Sequence, residues 1–304
     1  MKIAFASSSS VALPVFHKLL NSKHEVLYCI SNPDKRVGRG QDIKSNAFVE
    51  ESFEFVPHVF QPETNSQLQE YLEMNPVDLV VTIAYGRLIK AELLRIPRFG
   101  WINVHFSLLP HLRGAAPVQY ALLRGEKSTG ISIFQLDEGM DTGPLYLQEV
   151  HEIAPEATTE SLLSELGELA AQKILKVIDD IENGVPAIPQ RGEATFAPKI
   201  LKEAGQITST MHVSEAIGIV RALGENPGAF IRFRGERLNI VSAQASADSN
   251  GEVGSLIASK DALWLQLKDG AIELTSIKPQ GRKIMSGADY ARGSRILPGE
   301  KLDD

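Results

Sequence analysis

Short apolar runs alternate with stretches of helical spacing through the first half of the chain, and this alternation constrains the fold more than any other feature. Six runs rich in Val, Ile and Phe have strand length: Lys2–Ala6, Glu25–Ile30, Phe55–Phe60, Asp78–Ala84, Trp101–His105 and Gly130–Leu136. Between several of them, Val11–Leu20, Ser66–Met74 and Pro117–Arg124 carry apolar residues at helical spacing. Strands feeding helices imply parallel βαβ units, with ligand sites at the carboxyl ends of the strands. Residues 1–185 are therefore expected to form one doubly wound α/β domain. A long helix closes it, because Leu162, Leu166, Leu169, Ile174, Val177 and Ile178 fall close to one face before Gly184-Val185-Pro186 stops the pattern.

The character then changes. Residues 186–206 carry Pro189, Gly192, Pro198 and Gly205, too much punctuation for a helix or a central strand, and read as a linker. Over residues 207–304 a helical stretch, Ser214–Leu223, precedes five strand-like runs at Ala229–Arg234, Leu238–Ala243, Gly254–Ala258, Leu263–Leu267 and Ile272–Ile277. Short strands divided by Gly, Asn and Asp predict a small β-barrel.

Charge narrows the partners. The formal net charge is −7, which argues against a chain that coats nucleic acid through many cations. Residues 206–304 hold twelve basic and twelve acidic side chains, so the whole deficit lies in residues 1–205. Within that acidic half, Lys35, Arg36, Arg39 and Lys44 outnumber Asp34 and Asp42, a local positive loop suited to a phosphate backbone. Arg232, Arg234 and Arg237 in the barrel, and Lys278, Arg282 and Lys283 after it, are further candidates. No run approaches the length of a membrane span and no leader precedes the first strand, so a soluble cytoplasmic protein is expected. The single Cys29, inside an apolar run, reads as core packing in a reducing compartment.

The chemistry concentrates in Trp101–Pro117. Residues two apart share a face of a strand, so Asn103 and His105 project together from its last residues, where open α/β sheets place ligands. After the next strand, Gly139 and Gly143 make a tight excursion that returns Asp141 towards the same edge. An amide that donates to a developing oxyanion, with an imidazole and a carboxylate, suits attack by an amine on a carbonyl. No Ser or Cys stands in a nucleophile elbow, and no histidine spacing fits a metal, so neither a covalent intermediate nor a metal is expected. The first strand-to-helix turn, Ser7-Ser8-Ser9-Ser10, lacks the glycines of a dinucleotide turn, which weakens an oxidoreductase reading. Its serines are expected to cap the helix.

These residues carry a resemblance. Asn32-Pro33-Asp34 with Gly38-Arg39-Gly40, Ala84-Tyr85-Gly86, Asn103-Val104-His105, Ser107-Leu108-Leu109-Pro110, Arg113-Gly114-Ala115-Ala116-Pro117 and Asp141-Thr142-Gly143 together resemble the methionyl-tRNA formyltransferases over nearly the whole length. Ala194–Lys199, Asn226–Phe230 and Gly281–Ser286 extend the likeness. The resemblance implies a Rossmann-like domain followed by an OB-like barrel. It also implies 10-formyltetrahydrofolate as formyl donor and initiator methionyl-tRNA as acceptor, with a monomeric enzyme as the expectation. Asn103, His105 and Asp141 take its catalytic positions. Ser107, Leu108, Leu109 and Pro110 border the folate, and Ala84, Tyr85, Gly86, Arg87, Leu88 and Ile89 line the pteridine side. The chain departs from the family at Ser7-Ser8-Ser9, where glycine, Thr or Ser, then proline is usual. Another folate-dependent formyltransferase, acting on glycinamide ribonucleotide or an amino sugar, remains the alternative.

Overall fold

The computed structural model describes the chain except residues 38–41, 57 and 248–250, together with the side chains of 35–37, 42, 43 and 225. In chain order the elements are β1 (Lys2–Ser7), α1 (Leu13–Leu20), β2 (Glu25–Ile30), β3 (Lys35–Val37), β4 (Asp42–Lys44), α2 (Ala47–Ser52), β5 (Val59–Phe60), α3 (Asn65–Met74), β6 (Leu79–Ile83) and α4 (Ala91–Leu94). They continue with β7 (Trp101–His105), α5 (Pro117–Leu123), β8 (Ser128–Gln135), β9 (Leu145–Glu152), α6 (Thr159–Glu182) and α7 (Val213–Leu223). The rest are β10 (Ala229–Phe233), β11 (Glu236–Ser246), β12 (Leu256–Ala258), β13 (Leu263–Leu267), β14 (Gly270–Pro279), β15 (Met285–Ser286) and α8 (Gly287–Ser294). Two compact units result: residues 1–117, 128–152 and 163–198, and residues 118–127, 153–162 and 199–304.

The first unit is built on a mainly parallel sheet of order β5-β2-β1-β6-β7-β8-β9 among the described residues. β1, β2, β5, β6 and β7 run parallel, and their inner positions are mostly apolar because both faces of such a sheet are covered, with Thr82 of β6 and Asn103 of β7 as polar exceptions. Phe5 of β1 clusters with Phe16 and Phe48 at centroid distances of 5.3–5.6 Å, the rings tilted or edge-on to one another. Cys29 is buried in β2, and burial pushes its thiol up to about 12. The chain turns to the opposite side of β1 when it enters β6, which makes the carboxyl ends of β1 and β6 the topological switch point.

Three features differ from the pattern in the sequence. The expected strand Phe55–Phe60 shrinks to Val59–Phe60, since Phe55 leaves the sheet for the ring of His17, 5.1 Å away. The positive loop contains an antiparallel ribbon, Lys35 opposite Lys44. β9, an edge strand with alternating exposure, carries too few apolar residues for its period to stand out, and it makes the β7-β8-β9 end antiparallel.

The second unit is an antiparallel sheet, β10-β11-β14-β13-β12 with β15 on β14, curled into an OB-like half-barrel. Ile231, Phe233, Leu238, Ile240, Leu263, Leu265, Ile272 and Leu274 fill its interior. No helix among the described residues is long and apolar enough to cross a membrane.

Candidate active site

The parallel register sets Thr82 of β6 beside Asn103 of β7. Thr82 Oγ1 donates to Asn103 Oδ1 at 2.9 Å and also lies 3.0 Å from the Ile102 carbonyl. With its oxygen held, the Asn103 amide presents Nδ2, which has no hydrogen-bond partner among the described residues.

His105 stands two residues further on the same face of β7 and is only 6% exposed. Its Nε2 is 3.0 Å from the Leu112 carbonyl, and a carbonyl only accepts, so Nε2 carries the proton. The neutral ring therefore has its lone pair at Nδ1, which faces Asp141 Oδ2 at 3.7 Å. Burial holds the imidazole below its ordinary pKa, against the opposing pull of the Asp141 carboxylate and the Leu112 carbonyl.

Asp141 comes back to this point because β8 runs antiparallel to β7. Gln135 ends β8 beside Ile102, and the loop that follows doubles back until Asp141 Oδ2 accepts from the Gly114 amide at 2.7 Å. Asp141 adopts a left-handed backbone, φ 54°, as does Leu112 at 57°. A side chain at Gly114 is excluded twice, by its φ of 122° and by a Cβ position only 2.6 Å from the Ala197 carbonyl.

That carbonyl belongs to the stretch expected as a linker. Arg113 N donates to Thr195 O at 2.9 Å, Ala197 N to Arg113 O at 2.7 Å, and Leu112 N to Thr195 Oγ1 at 2.9 Å. Residues 195–197 thus fix the path of 112–114, and with it the carbonyl that selects the tautomer of His105.

Ser107–Pro110 is anchored from below. Ser132, the cross-strand partner of His105 and fully buried, donates to Ser107 O at 2.6 Å and accepts from Leu109 N at 3.0 Å and Gln148 Nε2 at 3.1 Å. Ser107 Oγ turns inward to the His111 carbonyl at 2.5 Å, Leu109 and Pro110 are buried, and Leu108 is half-buried. The Leu109-Pro110 peptide is cis. Ser132→Ala strands a buried amide and a buried carbonyl. It is expected to cost about 1–3 kcal/mol, read as a lower denaturant midpoint at unchanged m.

At the switch point the serine turn has its own logic. Ser9 Oγ accepts from Val11 N at 3.4 Å and so caps the 3₁₀ turn Ser10–Ala12 that leads into α1, whereas α1 itself starts from Ala12 with no side-chain cap. Ser8 Oγ accepts from Asn32 Nδ2 at 2.8 Å, and the same Nδ2 donates to Tyr85 O at 2.5 Å. Ser8, the position where the family also carries a hydroxyl, therefore ties the first turn to the 84–89 segment through Asn32, while the departures from the family fall on Ser7 and Ser9. Within that segment Ala84 and Gly86 have positive φ, the side chains of Tyr85 and Ile89 are buried, Arg87 Nη2 donates to Glu63 O at 2.9 Å, and Leu88 is exposed.

Arg39 lies outside the described residues, as do the side chains of Lys35 and Arg36, and Lys44 is exposed on β4. In the second unit Arg232, Lys278, Arg282 and Lys283 are exposed. Arg234 grips Glu300 through two contacts of 2.5 and 2.6 Å, which hold the Glu300 carboxyl down to about 2. Arg237 lies over the Phe230 ring at 3.8 Å, beside a cavity of about 290 Å³ that Lys202, Asn239 and Lys278 also line.

Thr82, Ser132, Gln148 and Gln190 have no place in the motifs read from the sequence, whereas Gly114 and Thr195 stand inside Arg113–Pro117 and Ala194–Lys199 without a role of their own. A threonine in the apolar run Leu79–Ile83 is the one visible trace of Thr82.

The chain matches the family model described as "Formyl transferase" over residues 1–178 and "Formyl transferase, C-terminal domain" over 199–295. The methionyl-tRNA formyltransferase of Streptomyces coelicolor is 38% identical over 311 residues, with 100% of both chains covered. Among solved structures, the methionyl-tRNA formyltransferase of Clostridium thermocellum has a TM-score of 0.60 at 17% identity, covering 94% of this chain and 100% of that one. HypX of Aquifex aeolicus in complex with tetrahydrofolic acid has a TM-score of 0.71 at 19% identity, over 95% of this chain and 46% of that longer one. With both halves matched in order and a relative aligned from end to end, this chain belongs to the methionyl-tRNA formyltransferase family.

Proposed function

We propose that the chain transfers the formyl group of 10-formyltetrahydrofolate to the α-amino group of methionine on initiator methionyl-tRNA, giving N-formylmethionyl-tRNA for translation initiation. The observation that carries the chemistry is the Asn103 amide nitrogen, left unpartnered by Thr82's hold on its oxygen, on the same strand face as a buried neutral imidazole. A fixed N–H donor of this kind suits a carbonyl oxygen that gains negative charge.

His105 takes a part different from the one its residue type invites. Its Nε2 proton is committed to Leu112 O, so the neutral ring offers a lone pair at Nδ1 and no N–H to an oxyanion. Asn103 is then the donor to the formyl oxygen, and His105 Nδ1 is the base for the proton that the attacking amine loses. Asp141 steadies the imidazolium that results and leads the proton, through water, towards N10 as the bond from N10 to the formyl carbon breaks. Atoms balance: one N–H is lost at the methionine nitrogen and one is gained at N10.

The folate side of this reading uses Ser107, Leu108, Leu109 and Pro110, and Ala84 to Ile89, with Asn32 holding the latter segment by Tyr85 O. Residues 1–185 serve as the catalytic domain, 186–206 as the linker and 207–304 as the tRNA-binding domain of a cytoplasmic monomer. Lys35, Arg36, Arg39, Lys44, Arg232, Lys278, Arg282 and Lys283 meet the tRNA backbone; Arg234, already paired with Glu300, adds little there.

The deciding assay is labelled formyl transfer from 10-formyltetrahydrofolate, with methionyl-tRNA, glycinamide ribonucleotide and an amino sugar nucleotide offered together. Label is expected on methionyl-tRNA. Label on either of the small acceptors instead overturns the reading.

A further inference from the structure

We propose that Gln190 is a positioning residue for formyl transfer, holding Asp141 in its working place through a brace that runs Arg113–Gln190–Asp141. The proposal rests on the formyltransferase reading and adds to it a residue from the stretch that looks like connecting chain.

The Gln190 amide spends both of its N–H groups on the Asp141 loop. Nε2 donates to Asp141 O at 2.8 Å and to Gly143 O at 2.8 Å, the carbonyls on either side of Thr142. Its oxygen accepts from Arg113 Nη2 at 2.6 Å, the one hydrogen bond of that guanidinium among the described residues. The next residue, Gly114, donates its amide to the Asp141 carboxylate at 2.7 Å. A closed ring of contacts follows: the carboxylate of Asp141 to Gly114, along the chain to Arg113, through Gln190, and back to the carbonyl of Asp141.

Asp141 needs such a hold. Its φ of 54° is a sparsely populated region for an L-residue, which persists where surroundings over-determine it. Fixing the carbonyls of 141 and 143 pins the turn, and the turn together with the Gly114 amide keeps the carboxylate 3.7 Å from His105 Nδ1. The chemistry of the side chain is specific. Glutamate at 190 keeps the Arg113 contact but has no N–H for the two carbonyls, and leucine keeps the volume but has neither. Gln190 touches no reacting atom; it acts through Asp141.

The test compares Gln190→Leu, Gln190→Glu, Asp141→Asn and the double variant Gln190→Leu/Asp141→Asn by steady-state formyl transfer, with Ile188→Ala as control. Ile188 neighbours the brace in sequence, but its side chain is exposed. Both Gln190 variants are expected to lose roughly 10- to 100-fold in kcat, with KM for either substrate within about threefold of the parent. The His105 ionisation on the acid side of the rate profile moves to lower pH, because a displaced carboxylate no longer raises the His105 pKa. The double variant falls no further than Asp141→Asn alone, as coupled residues require. Strictly additive losses, an unmoved His105 ionisation, or kcat within twofold of the parent overturns the brace. If Gln190→Leu does not fold, Gln190→Glu and Arg113→Met carry the same comparison from the two ends. A wild-type protein that transfers no formyl group to methionyl-tRNA fails the formyltransferase reading instead, so the two failures are distinct.

Discussion

Replacing His105 by glutamine is expected to lower formyl transfer by roughly 10²- to 10⁴-fold while folate binding is retained. Glutamine can still donate to Leu112 O, so the loop keeps its partner, but it cannot take a proton from the attacking amine. Turnover and an equilibrium folate titration separate the two effects, and loss of both together would argue for a packing role. The pH profile gives the sign. Burial holds the His105 pKa below the ordinary imidazole value near 6.5, so in the wild type His105 adds an ionisation below that value to the acid side of kcat/KM, beneath the titration of the attacking amine itself. That lower ionisation is expected to vanish in His105→Gln while the amine's remains. Stability follows the same displacement. The unfolded chain binds a proton near pH 6.5 that the folded ring resists, so stability is full above that pH and declines as pH falls through it. His24 is lowered as well, by burial first and then by the terminal amine. The difference between wild type and His105→Gln isolates the part that belongs to His105.

Asn103→Ala is expected to cost ~10² to 10³ in kcat, the usual loss for one oxyanion donor, with little change in affinity for the ground-state folate. Thr82→Val follows in the same direction with a smaller loss, because it frees the amide to rotate without removing it. Rapid-quench measurement of a single turnover checks both. An Asn103→Ala enzyme that forms product at the wild-type rate removes Asn103 from the chemistry.

Much of this architecture is legible in the residues themselves. The apolar runs at Lys2, Asp78 and Trp101 mark central parallel strands because burial on both faces leaves few polar residues in them, and those few, Thr82, Asn103 and His105, stand at the site. Edge strands are harder. Leu145–Glu152 is half solvated, and its side chains answer more to solvent than to a sheet face. The same division runs through the site. Asn103, His105 and Asp141 announce themselves as polar groups where none is needed for packing. The residues that orient them are silent, since they act through main-chain atoms that no side-chain pattern records: Thr195 and Ala197 bond the backbone of 112 and 113, Gln190 bonds two carbonyls, and Ser132 bonds one carbonyl and one amide. A Pro- and Gly-punctuated stretch reads as connection because its order comes from partners some eighty positions away in the chain, such as Thr195 with His111 and Leu112.

The proton on His105 Nε2 is kept in place by the Leu112 main-chain oxygen, and no codon change at position 112 can delete that acceptor. The choice of tautomer is therefore inherited through the course of the chain and not through any single side chain. Its weak points lie elsewhere, at Gly114, where any larger residue drives into Ala197 O, and at Thr195, whose hydroxyl fixes Leu112 N. Inactivating mutations in this enzyme should accumulate at such silent neighbours as well as at the three polar groups, and an amide-to-ester replacement that weakens the 112 carbonyl would reach the imidazole without altering one side chain.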